Sequence, residues 1–252
     1  MVGFFEFLSN VLFLDIETAS QTANLEELPV RLQEEWLRKE LHINGKENPT
    51  DPGSLYFNKA GIYAEFGKVI CIGVGYFHYI KDEDRLELRT RSFCAATEKE
   101  TLEGFSNLLE KKKWYLCAHN GKEFDFPFLC RRLLVNKLPL PEPLQIAGKK
   151  PWEVRHLDTL ELWKFGDYKH YTRLELLAAL FDIPTSKEGI DGSEVNTFYY
   201  EKKDIESIRL YCIRDVVVTA KIYLAFQGYF PEKEIKEVNT DIQPKTKETS
   251  NS

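Results

Sequence analysis

Val11-Leu12-Phe13-Leu14-Asp15-Ile16-Glu17-Thr18 is the stretch whose reading decides the fold. Four apolar residues in a row read as a short strand buried on both faces. Alternate side chains of a strand share a face, so Asp15 and Glu17 point one way and Ile16 the other. Two carboxylates side by side at the end of a buried strand repel each other unless a divalent cation lies between them. Hard oxygen ligands on a rigid strand suit Mg²⁺ or Mn²⁺. Taken alone, the run is more simply a strand ending in a polar turn.

Working outward, Leu25, Leu28, Leu32, Trp36 and Leu37 recur at helical spacing, which predicts an amphipathic helix over 25–40 with Pro29 in its first turn. The Asn-, Gly- and Pro-rich segment 44–54 reads as a loop, and 55–66 as a short aromatic helix. Lys68 to Tyr79 and Leu86 to Phe93 read as a β-hairpin. Thr97-x-x-Glu100 is a capping box that opens a helix to about Lys111, with Leu102, Phe105, Leu108 and Leu109 as its stripe. Trp114 to Ala118 is a short strand, a helix follows from Phe124, and Val154 to Leu160 is a weak fifth strand. Tyr171 to Phe181 and Asp204 to Phe226 are helices, with Gly189 to Ser193 a loop between them. A hairpin followed by alternating strands and helices predicts an α/β domain: a mixed sheet of about five strands flanked by helices.

The chain has 252 residues, of which 43% are hydrophobic and 13% aromatic, enough for a sizeable core. Its net charge of −6 argues against broad coating of nucleic acid, though not against a local site where metal ions supply the positive charge. Five scattered cysteines without a C-x-x-C pair are expected to be free thiols, not a zinc site. The apolar start carries Glu6 and no basic leader, and Val69 to Phe77 is too short to span a bilayer. The expectation is a cytoplasmic protein. Beyond Pro231 the Lys/Glu/Thr/Ser-rich chain reads as a disordered tail, 231–252.

Two further acidic segments join the first. Asp125, in His119-Asn120-Gly121-Lys122-Glu123-Phe124-Asp125-Phe126-Pro127, falls at a helix start, where a capping aspartate is the ordinary reading. Tyr211 and Asp215, in Tyr211-Cys212-Ile213-Arg214-Asp215, share a helix face. The ordinary reading there is a core tyrosine and a surface aspartate paired with Arg214 or Lys221. Together, D-x-E at a strand end, N-x-x-x-F-D at a helix start and Y-x-x-x-D on a late helix resemble the DEDD superfamily of 3′→5′ exonucleases. Tyr211 points to the tyrosine branch (DEDDy), since the position a histidine branch would use is Leu210. Phe13 to Thr18, His119 to Lys122, Phe124 to Leu129 and Lys187 to Val195 are most similar to freestanding proteins related to the proofreading domain of B-family DNA polymerases.

That resemblance spans about Leu12 to Phe226. It implies an RNase H-like domain over 1–230, with a helical insert at about 24–66, and two-metal hydrolysis of phosphodiesters. Asp15, Glu17, Asp125 and Asp215 are then the metal ligands. Two divalent ions about 3.5–4 Å apart clamp both ends of an in-line displacement, and four carboxylates balance their charge. Tyr211, a phenol with a pKa of about 10, suits orienting a water better than acting as a base. Thr18, Asn120, Lys122 and Phe124 are candidate contacts to the terminal nucleotide. For Asn120 and Lys122 the alternatives are turn chemistry and solvent. For the phenylalanines Phe124 and Phe126 the alternative is core packing. His119 and Asp158 read as structural.

The substrate expected is the 3′ end of single-stranded DNA, with RNA left open, and the products nucleoside 5′-monophosphates. Competing readings are a silent binding module of the same fold and a subunit docked to replication or repair proteins. A glycosidase fits poorly, because D-x-E sets its acids too close to flank a sugar bond.

Overall fold

The computed structural model describes residues 2–44, 51–167, 171–185, 190–230 and 234–241. An N-terminal helix α1 (Val2–Leu8) leads into β1 (Val11–Ser20). The insert follows as α2 (Val30–Ile43) and α3 (Tyr56–Lys59). The hairpin is β2 (Gly67–Ile80) and β3 (Arg85–Phe93), then come α4 (Glu98–Leu109) and β4 (Tyr115–Ala118). Next are α5 (Asp125–Val135), β5 (Leu157–Asp158), α6 (Thr159–Lys164) and α7 (Leu174–Leu180). The long α8 (Ile205–Phe226) and β6 (Lys236–Asn239) close the chain. The six strands form one mixed sheet in the order β5-β4-β1-β2-β3-β6, with β1 central, antiparallel to β2 and parallel to β4. An α/β mixed sheet flanked by helices, consistent with an RNase H-like exonuclease fold, is therefore what the chain builds.

The period-2 alternation of β1 sorts its side chains onto two cores. Leu12, Leu14 and Ile16 pack with Leu102 and Phe105 of α4 and with Phe128, Leu129 and Leu133 of α5. Val11 and Phe13 face the other way, onto Val216, Ala220, Tyr223 and Leu224 of α8. By parity Asp15 and Glu17 belong to the α8 side. That helix is buried on a second flank as well, where Val218 and Ile222 meet Leu174 and Leu177 of α7. The capping box at Thr97 and Glu100 forms as the sequence predicts. Behind it, the buried Arg132 of α5 donates two hydrogen bonds to Glu98 (2.8 and 2.6 Å) and one to the Ala64 carbonyl, locking α5 to α4 and to the end of the insert. The insert packs around Trp36, edge-on to Tyr56 and Phe66.

Several expectations are corrected. The sheet has six strands instead of about five, because residues assigned to a disordered tail supply β6, parallel to β3. Its residues were unreadable as a strand because charge, not apolar burial, holds it: Lys236 pairs with Glu87 and Glu237 with Lys221. Residues 231–233 and 242–252 of that tail lie outside the described residues, as do 45–50 of the expected loop and Lys187 to Gly189 of the exonuclease-like segment. The fifth strand shrinks to two residues, since Asp158 immediately caps α6. The apolar N-terminus is a helix packed on the sheet through Leu8 and, beside it, Phe4 and Phe5. Cys71 and Cys94 are not free: the register that pairs Ile72 with Phe93 sets them opposite each other, and they are bonded. Cys117, Cys130 and Cys212 are free. Among the described residues no helix is long and apolar enough to cross a membrane.

How closely α8 lies on the sheet depends on Gly73. A Cβ there would stand 3.0 Å from both Cys212 Sγ and Val216 Cγ2 and 3.1 Å from the Cys212 carbonyl oxygen. Gly73→Val should therefore lower the unfolding free energy by about 1–3 kcal/mol, read from urea denaturation; an unchanged midpoint would show that the helix yields freely.

Candidate active site

The end of β1 brings Asp15 and Glu17 onto the face covered by α8. Opposite them the register slips between Glu17 and Thr18, a β-bulge of the kind that re-aims side chains beside functional sites. Asp15 is partly buried and Glu17 almost fully. Burial pushes both carboxyls well above the usual range; Glu17 raises Asp15 further, Asp215 and Asp125 raise both, and a hydrogen bond with Asp15 lowers Glu17 in part. One Asp15 oxygen, Oδ2, is buried without a hydrogen-bond partner.

Asp125 arrives from the start of α5. The turn before it needs unusual backbone: Asn120 takes the left-handed conformation at φ 64°, which asparagine tolerates better than most residues. Gly121 is packed so closely on Ala118 and Phe126 that a side chain has no room. The Asn120 carbonyl then accepts from the Glu123 and Phe124 amides, starting the helix. Asp125 does not cap that helix. Its Oδ1 instead accepts the Ile16 amide of β1 at 3.2 Å, between the two β1 carboxylates in sequence. Burial raises its pKa to about 7, with Asp158 and Asp215 adding to the rise.

Asp215 and Tyr211 come from α8. Cys212, one residue past Tyr211, fixes their height: its thiol accepts the Gly73 amide at 3.0 Å and donates to the Asp15 carbonyl at 3.3 Å. Cys212 Sγ lies close to the Asp15 and Glu17 oxygens, but burial pushes its pKa up and both its hydrogen-bonding roles are filled. It acts as a neutral spacer. Asp215 is raised to about 7 by burial and then by Glu175, while the nearby Tyr211 hydroxyl favours its charge. Burial and the carboxylates of Asp215, Glu17 and Asp15 push the Tyr211 phenol upward, so it stays protonated.

The structure thus brings Asp15, Glu17, Asp125, Tyr211 and Asp215 together. Beside them opens a cleft of ≈ 670 Å³ lined by Glu175, Ile190, Asp191, Tyr211 and Asp215. Glu175 was not singled out from sequence. It lies in no motif, and only the packing of α7 on α8 carries it to Asp215. The Ile190-Asp191-Gly192 turn does reach the site, with Gly192 near the Tyr211 hydroxyl.

The candidate substrate contacts divide. Thr18 is partly exposed at the bulge, and Asn120 sits in the turn above Asp125. Lys122 is engaged by Glu161 at 2.5 Å, and the Phe124 ring packs 5.5 Å from Phe128. Asp158 is fully used: it accepts the Asn120, Lys122, Leu160 and Glu161 amides, clamping the turn and capping α6. His119 bonds Thr159 and the Thr172 carbonyl, and burial lowers its pKa, which leaves it neutral and structural.

Chemically, the partnerless Asp15 oxygen beside Glu17, with Asp125 and Asp215 near enough to raise the Asp15 pKa, is a set of hard oxygen donors that fits a divalent cation. Without one, the acids oppose folding once ionised. Free aspartate titrates near 3.9, whereas Asp125 and Asp215 titrate at about 7 in the folded chain. Between those values the folded state holds protons that the unfolded chain has released, so stability falls as pH rises across the window. In EDTA the melting temperature should drop from pH 5 to pH 8, Mn²⁺ should raise it more at pH 8, and Asp215→Asn should flatten the slope. A metal-free melting temperature that rises over this range would contradict the picture.

Comparison with known proteins adds one finding. The sequence profile of a family described as "Predicted 3'-5' exonuclease related to the exonuclease domain of PolB" matches residues 62–250, well over half the chain. No curated protein matches it. The matched region contains Asp125, Tyr211 and Asp215 and also β6; Asp15 and Glu17 precede it. The chain belongs to this family of predicted 3′–5′ exonucleases related to the exonuclease domain of PolB.

Proposed function

We propose that this protein is a metal-dependent exonuclease of the tyrosine branch that trims the 3′ end of single-stranded DNA and releases nucleoside 5′-monophosphates. The observation that carries the reading is the buried, partnerless Asp15 Oδ2 within a set of acids drawn from β1, α5 and α8. Asp15, Glu17, Asp125 and Asp215 would hold two divalent ions, Mg²⁺ or Mn²⁺. Such ions neutralise charge on the reacting phosphoryl group and lower the pKa of bound water towards neutrality.

The chain's own groups do the rest. Asp15 and Glu17 are held by pairing with Gly73 and Cys71 of β2, on a strand whose first half is also paired with β4. The Ile16 amide holds Asp125 in its orientation. Tyr211, kept protonated by burial and by the neighbouring acids, is a donor: it can fix the lone pair of an attacking water but cannot take its proton. Asp215, next to it, is the better acceptor. Hydrolysis breaks the bond between phosphorus and the 3′ oxygen of the penultimate nucleotide, leaving the phosphate on the released one. Thr18 and Asn120, both partly exposed, are the groups we assign to the terminal sugar.

Digestion of 3′- and 5′-labelled oligonucleotides with Mg²⁺, Mn²⁺ or EDTA tests the proposal. Shortening from the 3′ end only with metal is expected, and Asp15→Ala or Asp215→Ala should lose on the order of 10³-fold or more in rate. Tyr211→Phe should lose about 10²-fold in kcat with metal affinity, read by calorimetry, unchanged. RNA cut in preference to DNA would reassign the substrate, and intact ends under all conditions would leave a binding module.

A further inference from the structure

Beyond the acidic centre, the segment Thr197-Phe198-Tyr199-Tyr200-Glu201-Lys202-Lys203 stands out as aromatic and basic residues interleaved, and nothing above uses it. It forms a π-helix over Thr197–Lys202, ended by Lys203 in the left-handed conformation at φ 54°. Both features are unfavourable for an ordinary connection, and wide helical turns of this kind concentrate at functional sites. The segment is also firmly held. Asn196, just before it, accepts the Ser20 amide at 2.9 Å and donates to the Phe57 carbonyl. The Tyr200 hydroxyl donates to the Ser20 carbonyl at 2.6 Å.

The result is a platform at the end of β1. Ser20 lies three residues past Glu17, roughly 10 Å along a strand. Tyr199 and Tyr200 pack into the same apolar cluster as Tyr211 and Cys212. Their rings stand edge to face at 4.9 Å. The Lys68 ammonium lies 4.7 Å from one ring centre and 5.0 Å from the other, with Glu98 and Glu27 acting on it from further off. Lys68, Tyr199, Tyr200, Lys203 and Ile205 line a depression of ≈ 400 Å³ without an acid among them. In a chain of net charge −6, the charged groups that line this depression are both cations.

We infer that this depression is a second nucleic-acid subsite, in which Tyr199 stacks an unpaired base and Lys68 and Lys203 hold phosphates of the strand leading to the reacting 3′ end. Stacking needs a splayed base, so the site selects single strands over duplex. The inference rests on the exonuclease reading for its orientation but not for its binding.

Fluorescence anisotropy of labelled dT₁₂ in EDTA tests binding without cleavage. Tyr199→Ala should weaken it by about 5- to 150-fold, and Tyr199→Phe should restore it. Lys68→Ala with Lys203→Ala should reduce the slope of log K against log salt by about 1.4. With metal, all these variants should turn over the p-nitrophenyl ester of thymidine 5′-monophosphate, too short to reach the subsite, as wild type does. KM for dT₁₂ should rise. Binding lost in the variants of a protein that cleaves nothing would uphold the subsite and sink the hydrolase reading. Variants that bind and cleave dT₁₂ like wild type would overturn the subsite alone.

Discussion

The contact on which the site depends is that of α8 with the middle of the sheet at Gly73. Because residue 73 has no side chain, the Cys212 thiol can sit between the Gly73 amide and the Asp15 carbonyl. Two strands and a helix are thereby tied through one sulfur atom. Everything acidic on α8 inherits its position from that bond. Were the helix one side-chain layer further out, Asp215 would face solvent and titrate like an ordinary aspartate. The energetic consequence is a site that stabilises charge poorly on its own. Burial is the first cause of the raised pKa of each of its acids, and repulsion from neighbouring carboxylates, Glu175 in the case of Asp215, adds to it. The surrounding fold must over-determine such an arrangement. It does so with two apolar cores back to back and with the buried Arg132–Glu98 pair behind α5.

Much of this was legible from sequence, for physical reasons that differ by element. The apolar run of β1 and the alternation of its two faces are periodic signals, and they carried Asp15 and Glu17 to one side correctly. The Thr97 capping box and the 22-residue α8 were legible because local hydrogen bonding and helical spacing need no knowledge of the remainder. Asp125 was found by resemblance, but its partner was not. A capping role was the ordinary reading, and the bond to Ile16 spans 109 residues, beyond any local rule.

What stayed hidden was set by register and packing. Glu175 becomes a neighbour of Asp215 only through the docking of α7. Cys71 meets Cys94 only because the hairpin pairs Ile72 with Phe93. Lys122, read from sequence as a candidate nucleotide contact with solvent as the alternative, is paired with Glu161 only because α6 packs there. β6 was invisible for a different reason: a strand that satisfies its backbone on a sheet edge, with charged side chains outward, has the composition of a tail.

That last strand has a consequence for where the protein can be cut. β3 would otherwise be an outer strand of nine residues, its amides and carbonyls open along one side. Lys236 to Asn239 occupy that side, and Asp241 fastens the end by accepting from the Ser92 amide and hydroxyl and from Arg209 of α8. A polypeptide trimmed after residue 230 would retain Asp15, Glu17, Asp125 and Asp215, would lose Glu234 and Glu237 from the cleft wall, and would bare a ready template for a second molecule. Self-association, not loss of chemistry, would be its characteristic failure.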